Sequence, residues 1–131
     1  AGGAGGAGAA GGAGGAGGAG GAGGAGGMNC GTTHTVQTTD DRSDFQAYMD
    51  FAPENSTISV GDCVSFEMSR THNAVEIDEE TYNRRGARAL PGGFRVNFGQ
   101  TQVIQFNEPG IHYFVCQPHA GADMVGTITV E

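Results

Sequence analysis

The sequence contains no lysine, no tryptophan and no long apolar run. Its six basic side chains are all arginines and stand against fourteen carboxylates, so the formal net charge is −8. Phosphate binding needs a basic face, and this balance therefore argues against a nucleic-acid partner. A transmembrane helix needs about 20 apolar residues in succession, and no stretch approaches that length. We interpret the charge as that of a solvated surface, with a basic protein partner as the alternative.

Residues 1–27 are only Gly and Ala, so this segment carries no side chain larger than a methyl group. Such a segment buries too little area to offset the entropy of ordering its backbone, so we expect a disordered Gly/Ala tail or linker. A membrane tether is one interpretation, and a segment that is not native is the other. Residues 28–131 suffice for one small domain with one core.

Cysteine is scarce, with three residues in the chain. Cys30 and Cys63 each stand where a strand is expected to begin, and they are either bridged or two buried free thiols. A bridge would close a loop of roughly 33 residues and stabilise the fold by about 3–4 kcal/mol. It would also indicate an oxidising, extracytoplasmic compartment.

Period-two alternation of apolar residues predicts short strands and no convincing helix. Eight or nine such strands with turn residues between them favour an all-β antiparallel sandwich or barrel. The apolar residues of 45–51 predict one half-buried strand, and those of 94–98 predict another. The acidic run 78–80 and the arginines of 84–88 are interpreted as solvated faces. Strand alternation resumes at 111–115 and at 125–130, on either side of a short loop.

That loop concentrates the chemistry of the chain. Cys116, His119 and Met124 place a thiolate, an imidazole and a thioether within nine residues, between two predicted strands. Two His, one Cys and a weakly bound Met form the mononuclear copper site that serves electron transfer. The second imidazole must come from elsewhere, and His72, which is followed by Asn73 at the edge of an apolar strand, is the candidate.

Through His72-Asn73, Cys116-Gln117-Pro118-His119 and Met124-Val125-Gly126, the chain resembles the cupredoxins, the type 1 blue copper proteins. The gaps of two residues from Cys to His and four from His to Met are most similar to those of plastocyanin and pseudoazurin. The resemblance implies a Greek-key β-sandwich over 28–131. It also implies a one-electron carrier that is not an enzyme and holds one copper ion cycling between Cu(I) and Cu(II).

The resemblance further assigns roles to residues. His72, Cys116 and His119 would be equatorial ligands and Met124 the axial ligand. Asn73 would pin the His72 strand to the ligand loop, and Pro118, which has no N–H, would withhold a hydrogen bond from the sulfur. His119 would reach the surface within an apolar patch formed by residues 118 and 120–122.

The implied partners are redox proteins, such as a cytochrome or a membrane electron-transfer complex, that dock near His119 on a monomer. The implied location is extracytoplasmic: a periplasm, the outer face of a membrane or a thylakoid lumen. The acidic run 78–80 falls where plastocyanin has an acidic docking patch. Val115 stands where plastocyanin has a Tyr, and Asp123 replaces a family Gly. His34 and His112 are expected to be structural or solvent-facing.

Other functions remain to be weighed. A copper nitrite reductase or oxidase needs additional histidines, one of them beside the Cys ligand, where this chain has Val115. A binuclear centre needs two cysteines in one loop. A copper storage or chaperone module is the alternative function, and it would lack an intense thiolate-to-copper absorption band. A purely structural sandwich would bind no metal tightly.

Overall fold

The computed structural model describes residues 29–131, and the predicted tail at 1–27 lies outside them. Within this range the chain forms eight strands and two short helices. The strands are β1 (Thr33–Gln37), β2 (Asn55–Ile58), β3 (Cys63–Glu67), β4 (Ala74–Ile77), β5 (Arg95–Val96), β6 (Thr101–Gln105), β7 (Gly110–Val115) and β8 (Val125–Val130). The helices are α1 (Phe45–Tyr48) and α2 (Glu79–Asn83), and a 3₁₀ turn covers Gln117–Ala122.

The strands form two sheets, which confirms the predicted sandwich. One sheet has the order β1-β3-β6 and the other the order β2-β8-β7-β4-β5, so successive strands repeatedly cross between the layers. The sandwich is not antiparallel throughout, because β1 runs parallel to β3 and β2 runs parallel to β8. Both parallel pairs join strands that are separated in sequence by elements of the other sheet, which period-two alternation cannot reveal.

The main core lies between the sheets and is built on aromatic rings. Phe114 of β7 is fully buried, with its ring centroid 4.7 Å from that of Phe51 and 5.4 Å from that of Phe66. Both contacts are edge-to-face, the arrangement that aromatic quadrupoles favour. Cys116 and Met124 belong to the same buried cluster. The ligand loop (residues 116–124) is therefore anchored in the core at both of its ends.

The sequence left the pairing of two cysteines open, and the structure shows a disulfide between Cys30 and Cys63. The bridge lies at the start of the β1–β3 ladder, where Thr33 is the register partner of Cys63. Cys116 is the free, buried cysteine of the described residues. A structural disulfide is typical of extracytoplasmic proteins.

The predicted strand over 45–51 was wrong, because helix α1 occupies its first half. The Asp44 side chain accepts a hydrogen bond from the Ala47 N–H and caps the helix. The helix leaves Phe45 64% exposed and buries Tyr48, and Phe51 is buried in the segment that follows. The N-cap Asp44 favours a helix over the strand that the alternating pattern predicts, because its carboxylate accepts from a backbone N–H at the start of the helix. In a strand, that N–H would need an acceptor on a neighbouring strand.

Two further elements differ from the predictions. The acidic run 78–80 begins helix α2, whose N-cap is Asp78, and this helix packs against the outer face of β7. The strand predicted over 94–98 contains only Arg95–Val96, and Phe98 is exposed. Among residues 29–131, no helix is long and apolar enough to cross a bilayer.

Candidate metal centre

Sheet pairing brings the two halves of the predicted site together. Val115, at the end of β7, is the register partner of Val75 in β4 and of Val125 in β8. The residue after β7 is Cys116, and the residues just before β4 are His72 and Asn73. Three adjacent strands of one sheet therefore carry all the predicted ligands to one end of the sandwich.

Backbone hydrogen bonds fold the ligand loop back on itself. The Cys116 N–H donates to the carbonyl of Met124 at 3.0 Å, the Met124 N–H donates to that of His119 at 3.3 Å, and the His119 N–H donates to that of Cys116 at 3.1 Å. Pro118 lies in the first turn of the 3₁₀ segment, where its missing N–H leaves no donor unpaired. These bonds make the loop a closed turn between two strands.

The donor atoms converge on one point. Cys116 Sγ lies 3.6 Å from His72 Nδ1 and 3.4 Å from His119 Nδ1, and all three donors lie within 4.8 Å of one another. Within residues 29–131, they are the one group of three or more His, Cys, Asp or Glu donors close enough to share an ion. Met124 is fully buried at the end of the same loop.

These separations fit a single metal ion. Metal bonds of about 2.0 Å to nitrogen and 2.3 Å to sulfur, held at trigonal angles, place the donors about 3.7 Å apart. The observed separations from Cys116 Sγ to the two imidazole nitrogens, 3.6 and 3.4 Å, are close to that value. A soft thiolate and two imidazoles suit copper better than they suit magnesium or calcium, which prefer oxygen.

The tautomer of His72 is set by a carbonyl group. Its Nε2 lies 3.1 Å from the carbonyl oxygen of Thr39, which can only accept, so Nε2 carries the hydrogen and Nδ1 presents its lone pair toward Cys116. Burial lowers the pKa of His72, and the neighbouring His119 lowers it further. The ring is therefore neutral near pH 7, the state in which imidazole binds a metal.

Burial raises the pKa of the Cys116 thiol, and the backbone N–H groups of Asn73 and His119 oppose that rise. A bound metal ion would displace the proton, because thiolate rather than thiol is the ligand. Sequence reasoning had considered the missing N–H of Pro118 but had not considered the backbone of His119.

Asn73 ties β4 to the ligand loop through two hydrogen bonds. Its Oδ1 accepts from the Gln117 N–H at 2.9 Å, and its Nδ2 donates to Gln117 Oε1 at 3.2 Å. Asn73 is fully buried. The tie holds the residue next to Cys116 against the strand that follows His72.

A brace on the outer face of the sheet was missed by sequence reasoning, which assigned the arginines of 84–88 to a solvated face. The Arg85 guanidinium donates to the Asp123 carboxylate, and Gln117 Nε2 donates to the Ala87 carbonyl at 2.9 Å. Arg85 also donates to the Tyr82 carbonyl and lies over the Tyr82 ring. Residues 85–87 therefore hold both ends of the ligand loop.

Asp123 stands at a position where the resemblance to the cupredoxins predicts glycine. It adopts a left-handed conformation, with φ 73° and ψ 25°, as the residue that ends the 3₁₀ turn. Aspartate tolerates this region better than most residues, though less well than glycine. The ion pair with Arg85 offsets part of the cost.

His119 is half-buried and is the one site imidazole with access to solvent. Pro118, Gly121 and Ala122, which lie near it in the same loop, are exposed. The patch is smaller than predicted, because Ala120 is 4% exposed and packs inward against β4, β7 and β8 residues.

The two remaining histidines lie outside the centre. The His34 imidazole is hydrogen-bonded to Asp62 at 2.9 Å, and the buried His112 ring is hydrogen-bonded to Glu76 at 2.8 Å. His112 is therefore structural, as predicted. With both rings paired elsewhere, the four histidines of the chain supply no second cluster of metal ligands among the described residues.

Comparison with known proteins agrees with this geometry. Residues 34–131 match the model of a family described as copper binding proteins, plastocyanin/azurin family. The chain belongs to this family. Family membership and the donor set together identify copper as the cofactor, bound as one ion at a type 1 site.

Individual relatives place the chain within the family. It is 34% identical over 83 residues to a plastocyanin of Prochlorothrix hollandica, covering 62% of this chain and 63% of that one. It is 31% identical to plastocyanin A/B of Petroselinum crispum, covering 62% of this chain and 87% of that one. The pseudoazurin of Hyphomicrobium denitrificans superposes with a TM-score of 0.57 at 26% identity, covering 75% and 74% of the two chains. The chain thus spans less than two thirds of the first of these relatives.

Proposed function

We propose that the chain is a one-electron carrier that cycles one copper ion between Cu(I) and Cu(II) and turns over no substrate. The observation that carries the proposal is the buried convergence of Cys116 Sγ with the Nδ1 atoms of His72 and His119. Copper, when bound, supplies the redox chemistry. The protein supplies a donor set that changes little between the two oxidation states.

We assign His72, Cys116 and His119 as equatorial ligands and Met124 as the axial ligand. Three properties support the assignment: the lone pair of His72 faces the sulfur, Met124 is buried at the closing end of the loop, and its backbone is hydrogen-bonded to Cys116 and His119. Asn73 and Pro118 act on the sulfur and its loop without binding the metal. Rigid ligands reduce the reorganisation that accompanies electron transfer, and the loop's hydrogen bonds supply that rigidity.

Electrons would enter and leave at the half-buried edge of His119. The other site side chains are enclosed, so a partner reaches the centre most closely across the small patch of Pro118, Gly121 and Ala122. We propose that a redox protein, such as a cytochrome or a membrane electron-transfer complex, docks on this patch of a monomer. The disulfide supports a periplasmic or lumenal location.

The test is a visible absorption spectrum with one equivalent of Cu(II). We expect an intense thiolate-to-copper band, and we expect Cys116→Ser to abolish it. Met124→Leu should keep the band and raise the reduction potential, since a thioether ligand is lost. Stoichiometric copper binding without the band would instead indicate a storage or chaperone module.

A further inference from the structure

Tyr48 of helix α1 lies against both imidazoles of the metal centre. Its ring centroid is 4.8 Å from that of His72 and 5.9 Å from that of His119, and the two histidine rings are 5.0 Å apart. The tyrosine is 3% exposed. Three rings thus form one cluster, in which the tyrosine covers a side of the centre that the ligand loop does not.

The same segment of chain holds Tyr48 and orients His72. The Arg42 guanidinium donates to the Tyr48 hydroxyl at 3.2 Å and lies 5.0 Å from the centroid of its ring. The carbonyl of Thr39 accepts from His72 Nε2. The Asp40 carboxylate, in turn, accepts from the Thr71 N–H and hydroxyl, immediately before His72. Residues 39–48 therefore form a wall that fixes one imidazole directly and touches the other through Tyr48.

We propose that Tyr48 is a positioning residue of the copper centre, whose ring holds both imidazoles in place and excludes water from their side of the ion. The proposal rests on the proposed function. The rings meet at interplanar angles of 56° and 63°, so the contacts are tilted or edge-to-face rather than stacked. The Tyr48 hydroxyl is hydrogen-bonded to Arg42 rather than to either imidazole, so the ring, and not the hydroxyl, performs the role.

Two measurable consequences follow from this geometry. Outer contacts that orient metal ligands typically change metal affinity about 10- to 100-fold when they are removed. Water beside the ion favours the more highly charged Cu(II) state, so its exclusion raises the reduction potential. Loss of the ring should therefore speed metal release and lower the potential together.

The experiment compares Tyr48→Ala with Tyr48→Phe, using release of Cu(I) to an excess of a strong chelator and the reduction potential. We expect Tyr48→Ala to release Cu(I) at least about tenfold faster than wild type and to have a lower potential. Tyr48→Phe keeps the ring and should stay within about twofold of wild type. The release assay is repeated with Zn(II), which has no redox chemistry. Tyr48→Ala should again release the metal faster than Tyr48→Phe and wild type.

Phe45→Ala is the matched control, because Phe45 is exposed on the same short helix. It should release metal at the wild-type rate. If Tyr48→Ala does not fold, Tyr48→Leu replaces it, with the same expected direction.

Three results would overturn the proposal. Tyr48→Ala could release metal at the wild-type rate, Tyr48→Phe could release it as fast as Tyr48→Ala does, or Phe45→Ala could release it as fast as Tyr48→Ala does. A wild-type protein without the thiolate-to-copper band would overturn the proposed function instead. The two failures are therefore distinguishable.

Discussion

Replacing Asn73 by alanine should destabilise the protein even without copper, because Asn73 is the tie between β4 and the ligand loop. The change removes two hydrogen bonds to Gln117, at 2.9 and 3.2 Å. It also leaves the Gln117 N–H without the Asn73 Oδ1 acceptor, and Asn73 is fully buried.

The magnitude follows from the partners that are lost. Each hydrogen bond contributes about 1 kcal/mol net, and a buried donor without an acceptor costs about 1–3 kcal/mol. Allowing for overlap between these costs, we expect the free energy of unfolding to fall by about 2–4 kcal/mol. That is a large share of the roughly 5–15 kcal/mol by which small domains are stable.

The assay is urea unfolding of the metal-free protein with its disulfide intact. Tyrosine emission or far-ultraviolet circular dichroism can report it, since the chain has three tyrosines and no tryptophan. With a slope of about 2 kcal/mol per molar urea, the midpoint should fall by about 1–2 M. In the copper form we also expect a shifted thiolate-to-copper band, because Gln117 adjoins Cys116.

Asn55→Ala is the matched control, since the exposed Asn55 accepts one hydrogen bond from the Thr127 hydroxyl at 2.9 Å. Its loss should change stability by no more than about 0.5 kcal/mol. Equal urea midpoints for Asn73→Ala and Asn55→Ala would show that Asn73 does not stabilise the fold through Gln117.

Three further variants test the scaffold by urea unfolding. Gly126→Ala should lose about 1–3 kcal/mol, because an added Cβ would lie 2.5 Å from a ring atom of Phe114. Replacing both Cys30 and Cys63 by serine should lose about 3–4 kcal/mol, since their sequence separation is 33. The hydrogen bond from the His34 side chain lowers the pKa of Asp62, and hydrogen bonds from backbone N–H groups lower it further. The ionised Asp62 carboxylate therefore stabilises the fold above its unfolded pKa of about 4, and this stabilisation is lost as the pH falls below that value. Asp62→Asn should make the loss of stability in acid less steep.

Each of these has its own contradicting result. An unchanged midpoint for Gly126→Ala would mean that β8 and Phe114 can move apart freely. A double serine variant as stable as wild type would mean that the bridge does not constrain the unfolded chain. An acid decline in Asp62→Asn as steep as in wild type would place the responsible carboxylate elsewhere.

The metal centre shows how far local sequence information reaches. Cys116, His119 and Met124 are close in sequence, so their chemistry could be read from spacing alone. His72 is 44 residues from Cys116, but the following Asn73 completed a recognisable motif. Alternation likewise predicted the sandwich, because a strand with one buried face repeats every two residues.

The elements that the sequence misassigned are short and depend on single contacts. Helix α1 exists because the Asp44 carboxylate caps it, and the alternating apolar residues around it gave the opposite indication. Its consequence, the contact of Tyr48 with two metal-site histidines, could not be predicted from a strand assignment. Local propensity is weak over four residues, so a cap can decide the outcome.

Residue types, spacing and alternation were enough to predict the ligand types, the strand-rich architecture and the family. Three contacts became visible in the fold alone: the Cys30–Cys63 bridge, the hydrogen bond from Arg85 to Asp123, and the contact of Tyr48 with the imidazoles. The physical reason is that spacing and periodicity record which side chains a segment must bury or present. Which distant side chain each one meets depends on how the strands are ordered in the two sheets.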